Sequence, residues 1–138
     1  MFWRKAYLVI PGAIAMAAPL QVHASPIAGQ WRTDDGRALV AISPCGDALC
    51  GRISRFLVPE PPGGVRDTEN PKRSLRQRKL LGVQVFWNLK RVGDVWKGEG
   101  YSPEDGLYFN AELSPQGSRL KIRGCKLLFC KTKFWTMG

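Results

Sequence analysis

Short stretches of alternating apolar and polar residues, each closed by a turn, fill the chain from residue 29 onward. Within residues 107–113 the apolar side chains fall on every second position, and within 119–123 they do so again. This alternation predicts β-strands that turn one face toward a core. Eight such strands are predicted, at 29–33, 37–43, 49–57, 83–90, 95–101, 107–113, 119–123 and 130–136.

Turn residues join most of these strands directly, as at Asp34-Asp35-Gly36 and Gly93-Asp94. A series of hairpins without crossover helices is a meander, and eight meandering strands can close on themselves and so remove exposed sheet edges. We therefore predict an all-β fold, an up-and-down antiparallel eight-stranded barrel. Such a barrel is either filled by its own side chains or holds one small ligand, and the sequence leaves both outcomes open.

One long connection interrupts the meander between the third and fourth strands. It is rich in proline and glycine near its start and contains Asn70-Pro71, a pair that favours the beginning of a helix. A short helix is predicted from residue 71 to about residue 79. Five cations lie on it: Lys72, Arg73, Arg76, Arg78 and Lys79.

The first 24 residues have the pattern of a signal peptide: Arg4 and Lys5, then an apolar stretch over 8–20, then small residues before Ser25. Cleavage between Ala24 and Ser25 is predicted. The apolar stretch is shorter than the roughly 20 residues of a spanning helix, so it is not expected to be a membrane anchor. No later stretch is long and apolar enough to span, so no transmembrane segment is expected after cleavage. The mature domain is then 25–138, in the periplasm or secreted.

Cleavage also removes His23, which is the single histidine of the chain. Catalysis by a Ser-His-Asp or Cys-His arrangement and histidine-ligated metals are thereby excluded. Loss of Arg4 and Lys5 lowers the formal net charge from +10 to +8. This charge favours an anionic envelope surface such as lipopolysaccharide, lipid head groups or glycans. Nucleic acid is not expected as a partner of an exported protein.

Four cysteines occur in two copies of one spacing, Cys45 with Cys50 and Cys125 with Cys130. In an exported chain an even number of cysteines predicts disulfides. Four intervening residues fit a tight hairpin whose flanks face each other, so we predict a bridge within each pair. Connectivities that join the two pairs remain possible. A zinc or redox site is disfavoured because the spacing is wider than that of Cys-x2-Cys.

The mature chain resembles a bacterial exported family known as domain of unknown function 2147. The motifs that carry the resemblance are Gly29-Gln30-Trp31, Cys45-Gly46, Leu49-Cys50-Gly51, Asp67-Thr68, Asn70-Pro71, Leu75-Arg76 with Arg78, Leu80-Leu81-Gly82, Tyr101 with Pro103 and Gly106, and 120–125 with Trp135. The resemblance implies a small lipocalin-like, or calycin-like, barrel, and it brings no biochemical activity with it. It also implies a late arginine over Trp31, which this chain lacks unless Arg123 or Lys133 replaces it.

Aromatic residues on the central predicted strands are the candidates for ligand contact. Alternation in 83–90 places Val85, Trp87 and Leu89 on one face and Phe86 on the other. The candidate ligand-binding residues are Trp87, Trp96, Tyr101 and Tyr108 as contact surface, with Asn70, Arg76 and Arg78 covering the mouth and meeting an acidic head group. Trp31 and Trp135, near the ends of the domain, are expected to be core.

The predicted function is therefore binding of a small hydrophobic or amphipathic ligand, such as a fatty acid or lipid. The alternative is an envelope interaction protein with a packed barrel that binds anionic surfaces through its basic segment. An enzyme is the weakest interpretation, because the close carboxylate pairs, such as Asp67 with Glu69, fall in turns. No cofactor or metal is expected, since phosphate-loop and dinucleotide motifs are missing from the sequence.

Overall fold

The computed structural model describes residues 8, 10–15 and 26–138. Most of the predicted signal peptide, including the cleavage site between Ala24 and Ser25, lies outside the described residues. Within them, no helix combines the length and the apolar character needed to cross a membrane.

Eight antiparallel strands follow one another around a closed barrel, each hydrogen-bonded to the next and the last to the first. Their bounds are Gly29–Arg32 (β1), Ala38–Cys45 (β2), Ala48–Phe56 (β3), Gln84–Val92 (β4), Val95–Ser102 (β5), Leu107–Gln116 (β6), Arg119–Lys126 (β7) and Phe129–Met137 (β8). The predicted all-β, up-and-down, eight-stranded barrel is confirmed.

The short helix predicted from residue 71 to about 79 is wrong. The segment contains a single turn of 3-10 helix at Arg73–Leu75, preceded by an extended residue, Lys72. The expected cap, Asn70, is buried, and its side-chain oxygen accepts a hydrogen bond from the Lys72 backbone N–H at 2.8 Å. Its amide nitrogen meanwhile donates to Asp67 at 2.8 Å. Asn70 thus holds a turn against the barrel instead of starting a helix.

The two ends of the barrel differ because every strand reverses direction. The turns at 46–47, 93–94 and 117–118 share one end, the closed end, where the interior is filled by buried apolar side chains such as Leu89, Leu113 and Leu120. Buried Ile27 accepts a hydrogen bond at its carbonyl from the Trp31 indole N–H at 2.9 Å. The turns at 33–37, 57–83, 103–106 and 127–128 share the other end, the open end.

The predicted faces of 83–90 are partly wrong, because the ladder between β3 and β4 shifts register opposite 84–86 and the ladder between β4 and β5 shifts between Trp87 and Lys90. Asn88 sits in the left-handed region, with φ 54°, at this irregularity. Phe86, predicted on the face opposite Val85 and Leu89, is buried in the same core as both. Trp87 is only half-buried and lies against Tyr108 on the outer wall.

Both predicted disulfides are present, and the pairing is within each hairpin, so the cross-linked connectivities are excluded. Cys125 and Cys130 lie directly opposite each other in the ladder between β7 and β8. Cys45 and Cys50 are offset instead, since Cys45 faces Ala48 in the ladder between β2 and β3. Disulfides of this kind are typical of a non-cytoplasmic, oxidising compartment.

Candidate ligand-binding site

A cavity of about 670 Å³ occupies the open half of the barrel. Its inner wall is apolar and comes from inward-facing side chains of six strands: Val40, Ile53, Val85, Phe86, Phe109, Ile122 and Trp135. The question that the sequence left open is therefore answered differently for the two halves. The closed half is packed, and the open half contains space.

Three aromatic rings shape the inner wall of this cavity. The Phe86 ring lies 5.6 Å from the Trp135 ring and 6.4 Å from the Phe109 ring, centroid to centroid. Phe109 owes its position to glycines on the strands at either side of β6. A Cβ atom at Gly124 would lie 2.8 Å from the Phe109 ring, and one at Gly100 would collide with it. The two glycines thus leave the room into which the Phe109 ring settles.

The indole N–H of Trp135 is buried and has no hydrogen-bond acceptor among the described residues. Buried donors are nearly always paired in folded proteins, because an unpaired donor has lost its hydrogen bond to water. Trp135 also lines the cavity. A polar atom brought in by a ligand is one way in which this donor would be satisfied.

The rim of the cavity carries charges of both signs. Asp34 and Asp35 on the β1–β2 turn face this space, as do Lys126, Lys131 and Lys133 on the β7–β8 hairpin. Burial raises the pKa of the Asp35 carboxyl, but hydrogen bonds from Thr33 and the Arg37 backbone and nearby positive charge outweigh it, so this pKa lies below its ordinary value. Lys133 pairs with Asp34 at 3.8 Å.

The long connection between β3 and β4 forms part of the same mouth. Its apolar residues Val58, Pro59, Pro61 and Val65 line the cavity beside the strand wall. A hydrogen bond between Asp67 and Arg78 helps to hold the connection in place, since the Asp67 backbone N–H donates to the Arg78 carbonyl at 3.0 Å. The loop therefore acts as one side of the opening.

A second cavity, a groove of about 500 Å³ on the outer wall, is where four of the sequence-predicted ligand residues meet. Trp87, Tyr101, Tyr108 and Arg78 line it together with Arg52. The Tyr101 and Tyr108 rings lie 4.7 Å apart, and the Trp87 ring is 6.1 Å from that of Tyr108. The groove is thus aromatic on one side and carries two guanidinium groups.

Beneath the groove, the buried carboxylate of Asp67 collects three hydrogen bonds. Tyr101 donates its hydroxyl to one oxygen at 2.5 Å, and Arg78 donates its Nε–H to the other at 2.8 Å. Asn70 donates to that same oxygen, and Arg76 donates its Nε–H to the Asn70 carbonyl at 2.8 Å. Since a buried charge is tolerated only when it is paired and hydrogen-bonded, this network fixes the long connection to β5 and β6.

Burial raises the pKa of the Tyr101 hydroxyl well above its ordinary value, and its hydrogen bond to the Asp67 carboxylate and the charge on that carboxylate raise it further. Ionisation would remove the proton that Tyr101 donates and would place two negative charges side by side. The hydroxyl consequently stays protonated and serves as a fixed donor to Asp67.

The remaining predicted residues take other positions. Trp96 is buried in the packed closed half, and the Arg91 guanidinium lies over its ring at 5.3 Å. Asn70 and Arg76 belong to the network that holds the long connection, beside rather than inside the cavity. A ligand role for the seven residues stays a prediction, and the structure divides them among the outer groove, the loop network and the packed core.

The apolar cavity wall contains residues that were not among the predicted ligand-binding residues, namely Phe86, Phe109, Ile53 and Ile122. Trp135, expected to be core, is buried in the core cluster and also lines the cavity. The sequence did indicate that Phe109 and Ile122 point inward, because alternation in 107–113 and 119–123 places both on the inward face of their strands. The sequence did not indicate that Phe86 points inward, since register shifts along β4 change which of its side chains face the interior.

Neither predicted substitute for the arginine over Trp31 is in that position. Arg123 lies 3.6 Å from Glu112 and Lys133 lies 3.8 Å from Asp34. In the described part of the chain no cation–π contact includes Trp31, whose ring is instead fixed by its hydrogen bond to Ile27. The closed end is thus held by packing and by this hydrogen bond.

These features define a small closed β-barrel that is packed at one end and hollow at the other. A family model described as "Uncharacterized protein conserved in bacteria (DUF2147)" matches residues 29–137, so the chain belongs to this family. Among solved structures, the chain is similar to HP1028 from Helicobacter pylori, a protein described as belonging to the lipocalin family. The TM-score is 0.70 at 19% identity, over 80% of this chain and 82% of that one. The similarity confirms the lipocalin-like fold, and the search of curated proteins gave no match.

Proposed function

We propose that the mature protein, residues 25–138, is exported to the periplasm or secreted and binds one small hydrophobic or amphipathic ligand in the open half of the barrel. The observation that carries this proposal is the cavity of about 670 Å³ with an apolar inner wall and a charged rim. Its volume falls within the roughly 300–1,000 Å³ typical of small-molecule sites. A barrel that needed only a core would fill this half as it fills the other.

The arrangement of the cavity favours a ligand with an apolar body and one polar end. Phe86, Phe109 and Trp135 offer aromatic surface deep in the barrel, and burial of apolar surface against them drives binding. Lys126 and Lys131 stand at the rim, where a carboxylate or phosphate would meet them and still remain hydrated. A fatty acid or a lipid fragment has this polarity.

The second candidate is binding of an anionic surface through the basic segment, residues 72–79. Three of its five cations, Lys72, Arg73 and Lys79, are exposed and have no ion pair within residues 26–138. Arg76 and Arg78 instead donate to Asn70 and Asp67, so their charges are partly committed to the loop network. The candidate therefore rests on Lys72, Arg73 and Lys79.

Titration of the mature protein with cis-parinaric acid, a fluorescent fatty acid, tests the cavity. We expect saturable binding that Ile53→Phe weakens by at least about tenfold, because the larger side chain occupies the cavity. Val92→Phe, a somewhat larger enlargement at the exposed end of β4 beside the closed-end turn, is the control and leaves the affinity unchanged. Absence of saturable binding to delipidated wild-type protein would overturn the proposal.

A third variant separates the cavity from the outer groove. Tyr108→Ala removes the ring that lies between those of Trp87 and Tyr101 without touching the inner wall. If Tyr108→Ala lowers the affinity and Ile53→Phe does not, the ligand site is the groove that the sequence prediction favoured. Intact-mass spectrometry of natively purified protein then identifies a co-purifying ligand and checks for two disulfides.

A further inference from the structure

The tip of the β7–β8 hairpin exposes three consecutive apolar residues. The side chains of Leu127, Leu128 and Phe129 are 90%, 96% and 82% exposed, more than any other large apolar side chain of residues 26–138. Single exposed apolar residues are ordinary on protein surfaces, whereas a contiguous group is a mark of an interaction site. This group, the apolar tip, is not used by the fold.

The backbone conformation at the apolar tip also supports an interaction site. Leu127 has φ 56°, in the left-handed region that glycine and asparagine adopt readily and leucine does not. The tight turns at the closed end place Gly46, Gly93 and Gly117 in this region, with φ between 62° and 68°. A leucine at the same kind of position weakens the fold and exposes apolar surface, so its presence calls for a role outside the fold.

The apolar tip is rigid and projects from the barrel. The disulfide between Cys125 and Cys130 closes the hairpin directly behind it. The ladder from β7 to β6 ends at Cys125, and the ladder from β8 to β1 ends at Thr136. Beyond these points the hairpin has no strand neighbour on either side, so the tip stands clear of the rest of the open end.

The charges around the apolar tip select one kind of partner. Lys126 and Lys131 flank it, are exposed and form no ion pair among the described residues. Apolar side chains at the point and cations just behind them match a bilayer with anionic head groups, where the acyl boundary takes the former and the phosphates take the latter. Acidic residues on neighbouring turns, Asp35 and Asp105 among them, oppose deeper approach and limit the contact to the hairpin.

We propose that the apolar tip inserts into the surface of an anionic lipid bilayer, with Lys126 and Lys131 on the head groups, and that this docks the open end of the barrel toward the membrane. Phe129 and both lysines also line the cavity mouth, so a docked barrel would exchange an amphipathic ligand with the bilayer without passing it through water. That last step rests on the proposed ligand function, whereas docking of the tip does not.

Flotation of the mature protein with vesicles of phosphatidylglycerol and phosphatidylethanolamine tests docking. The variant Leu127→Asn/Leu128→Ser/Phe129→Ser is expected to lower the partition coefficient on the order of tenfold or more. The matched control, Val92→Ser/Met137→Ser, removes exposed apolar surface from the closed end and leaves partition unchanged. Phosphatidylcholine vesicles should bind wild-type protein weakly, and Lys126→Glu/Lys131→Glu should reduce the preference for anionic vesicles.

The single variant Leu127→Asn separates docking from stability, because asparagine suits the left-handed backbone. We expect its melting temperature to stay equal to that of the wild type or rise, while vesicle partition falls. Unchanged partition in the triple variant would overturn the proposal, and so would partition that falls only in Lys72→Glu/Arg73→Glu. A wild-type dimer that the triple variant dissociates, without vesicle binding, would overturn it in favour of self-association.

The same variants distinguish the failure of this proposal from that of the ligand function. Ile53→Phe should lose cis-parinaric acid and keep vesicle partition, because it alters only the cavity. The double variant Leu127→Asn/Leu128→Ser, which leaves the cavity-lining Phe129 in place, should keep equilibrium binding of cis-parinaric acid in solution and lose most of its partition. If Ile53→Phe binds the fatty acid as the wild type does, the assignment of the cavity as the ligand site is wrong. The docking proposal is then judged by the vesicle experiment alone.

Discussion

The two disulfide hairpins share one spacing and differ in what they present to solvent. At the closed end, Gly46 and Asp47 form a polar turn behind the bridge from Cys45 to Cys50. At the open end, Leu127 and Leu128 form an apolar turn in front of the bridge from Cys125 to Cys130. Both bridges thus brace a two-residue turn, although their cysteines differ in register, and the residues of the turn determine what that end of the barrel can contact.

The interiors behind the two hairpins differ in the same way, and core truncation should reveal it with the largest effect. Leu113→Ala, in the fully buried closed half, is expected to lower the free energy of unfolding by about 2–5 kcal/mol. Ile122→Ala, in the cavity wall, should fall at or below the lower end of that range, because this side chain already borders open space. Urea denaturation measures both, and equal losses would contradict a hollow open half.

Removal of each disulfide should lower stability by a similar amount but affect binding differently. Both rings close the same number of residues, so the loop-closure model gives roughly 2 kcal/mol for each bridge. Cys125→Ser/Cys130→Ser should also weaken vesicle partition, since the apolar tip loses its rigid base. Cys45→Ser/Cys50→Ser serves as the control, and a partition defect in this closed-end variant would contradict the difference between the hairpins.

The long connection at the open end depends on Tyr101, and Tyr101→Phe should cost about 1–2 kcal/mol, because Asp67 loses one of its donors. The folded-state pKa of Tyr101 is raised. Its stabilising contribution is therefore complete below the unfolded-state pKa of about 10 and is lost as the pH rises above it. Urea titrations between neutral and alkaline pH should show the difference between wild type and Tyr101→Phe shrinking. A difference that grows with pH would contradict this assignment.

The closed end was the more predictable half, because regular alternation and glycine turns define it. Strand number, order and direction followed from alternation in stretches such as 107–113 and 119–123 and from the turns between them. At both ends the pairing within each hairpin followed from the cysteine spacing, but Cys45 and Cys50 lie offset in their ladder and not directly opposite as predicted. These features depend on near neighbours in the chain, which a sequence displays directly.

The open end was less predictable, because its features depend on contacts between distant residues. Asn70 has the sequence context of a helix cap, yet its partners are Asp67 and the Lys72 backbone in a loop that is packed on Tyr101. The register shift in β4 moved Phe86 into the cavity wall and Trp87 to the outer groove, and no local signal marks it. The cavity itself is space between side chains of six strands, which alternation cannot measure.

The smallest expected effect comes from exchanging the turn residues of the two hairpins. Leu127→Gly should raise the free energy of unfolding by up to about 1 kcal/mol and Gly46→Leu should lower it by a similar amount, because both positions have positive φ. Only Leu127→Gly should reduce vesicle partition. Gly46→Leu places an apolar side chain at the closed end, beside exposed Asp47 and away from Lys126 and Lys131. If that variant gained vesicle binding equal to that of the wild-type tip, any exposed leucine would suffice, and the charges and position of the open-end hairpin would have no part in docking.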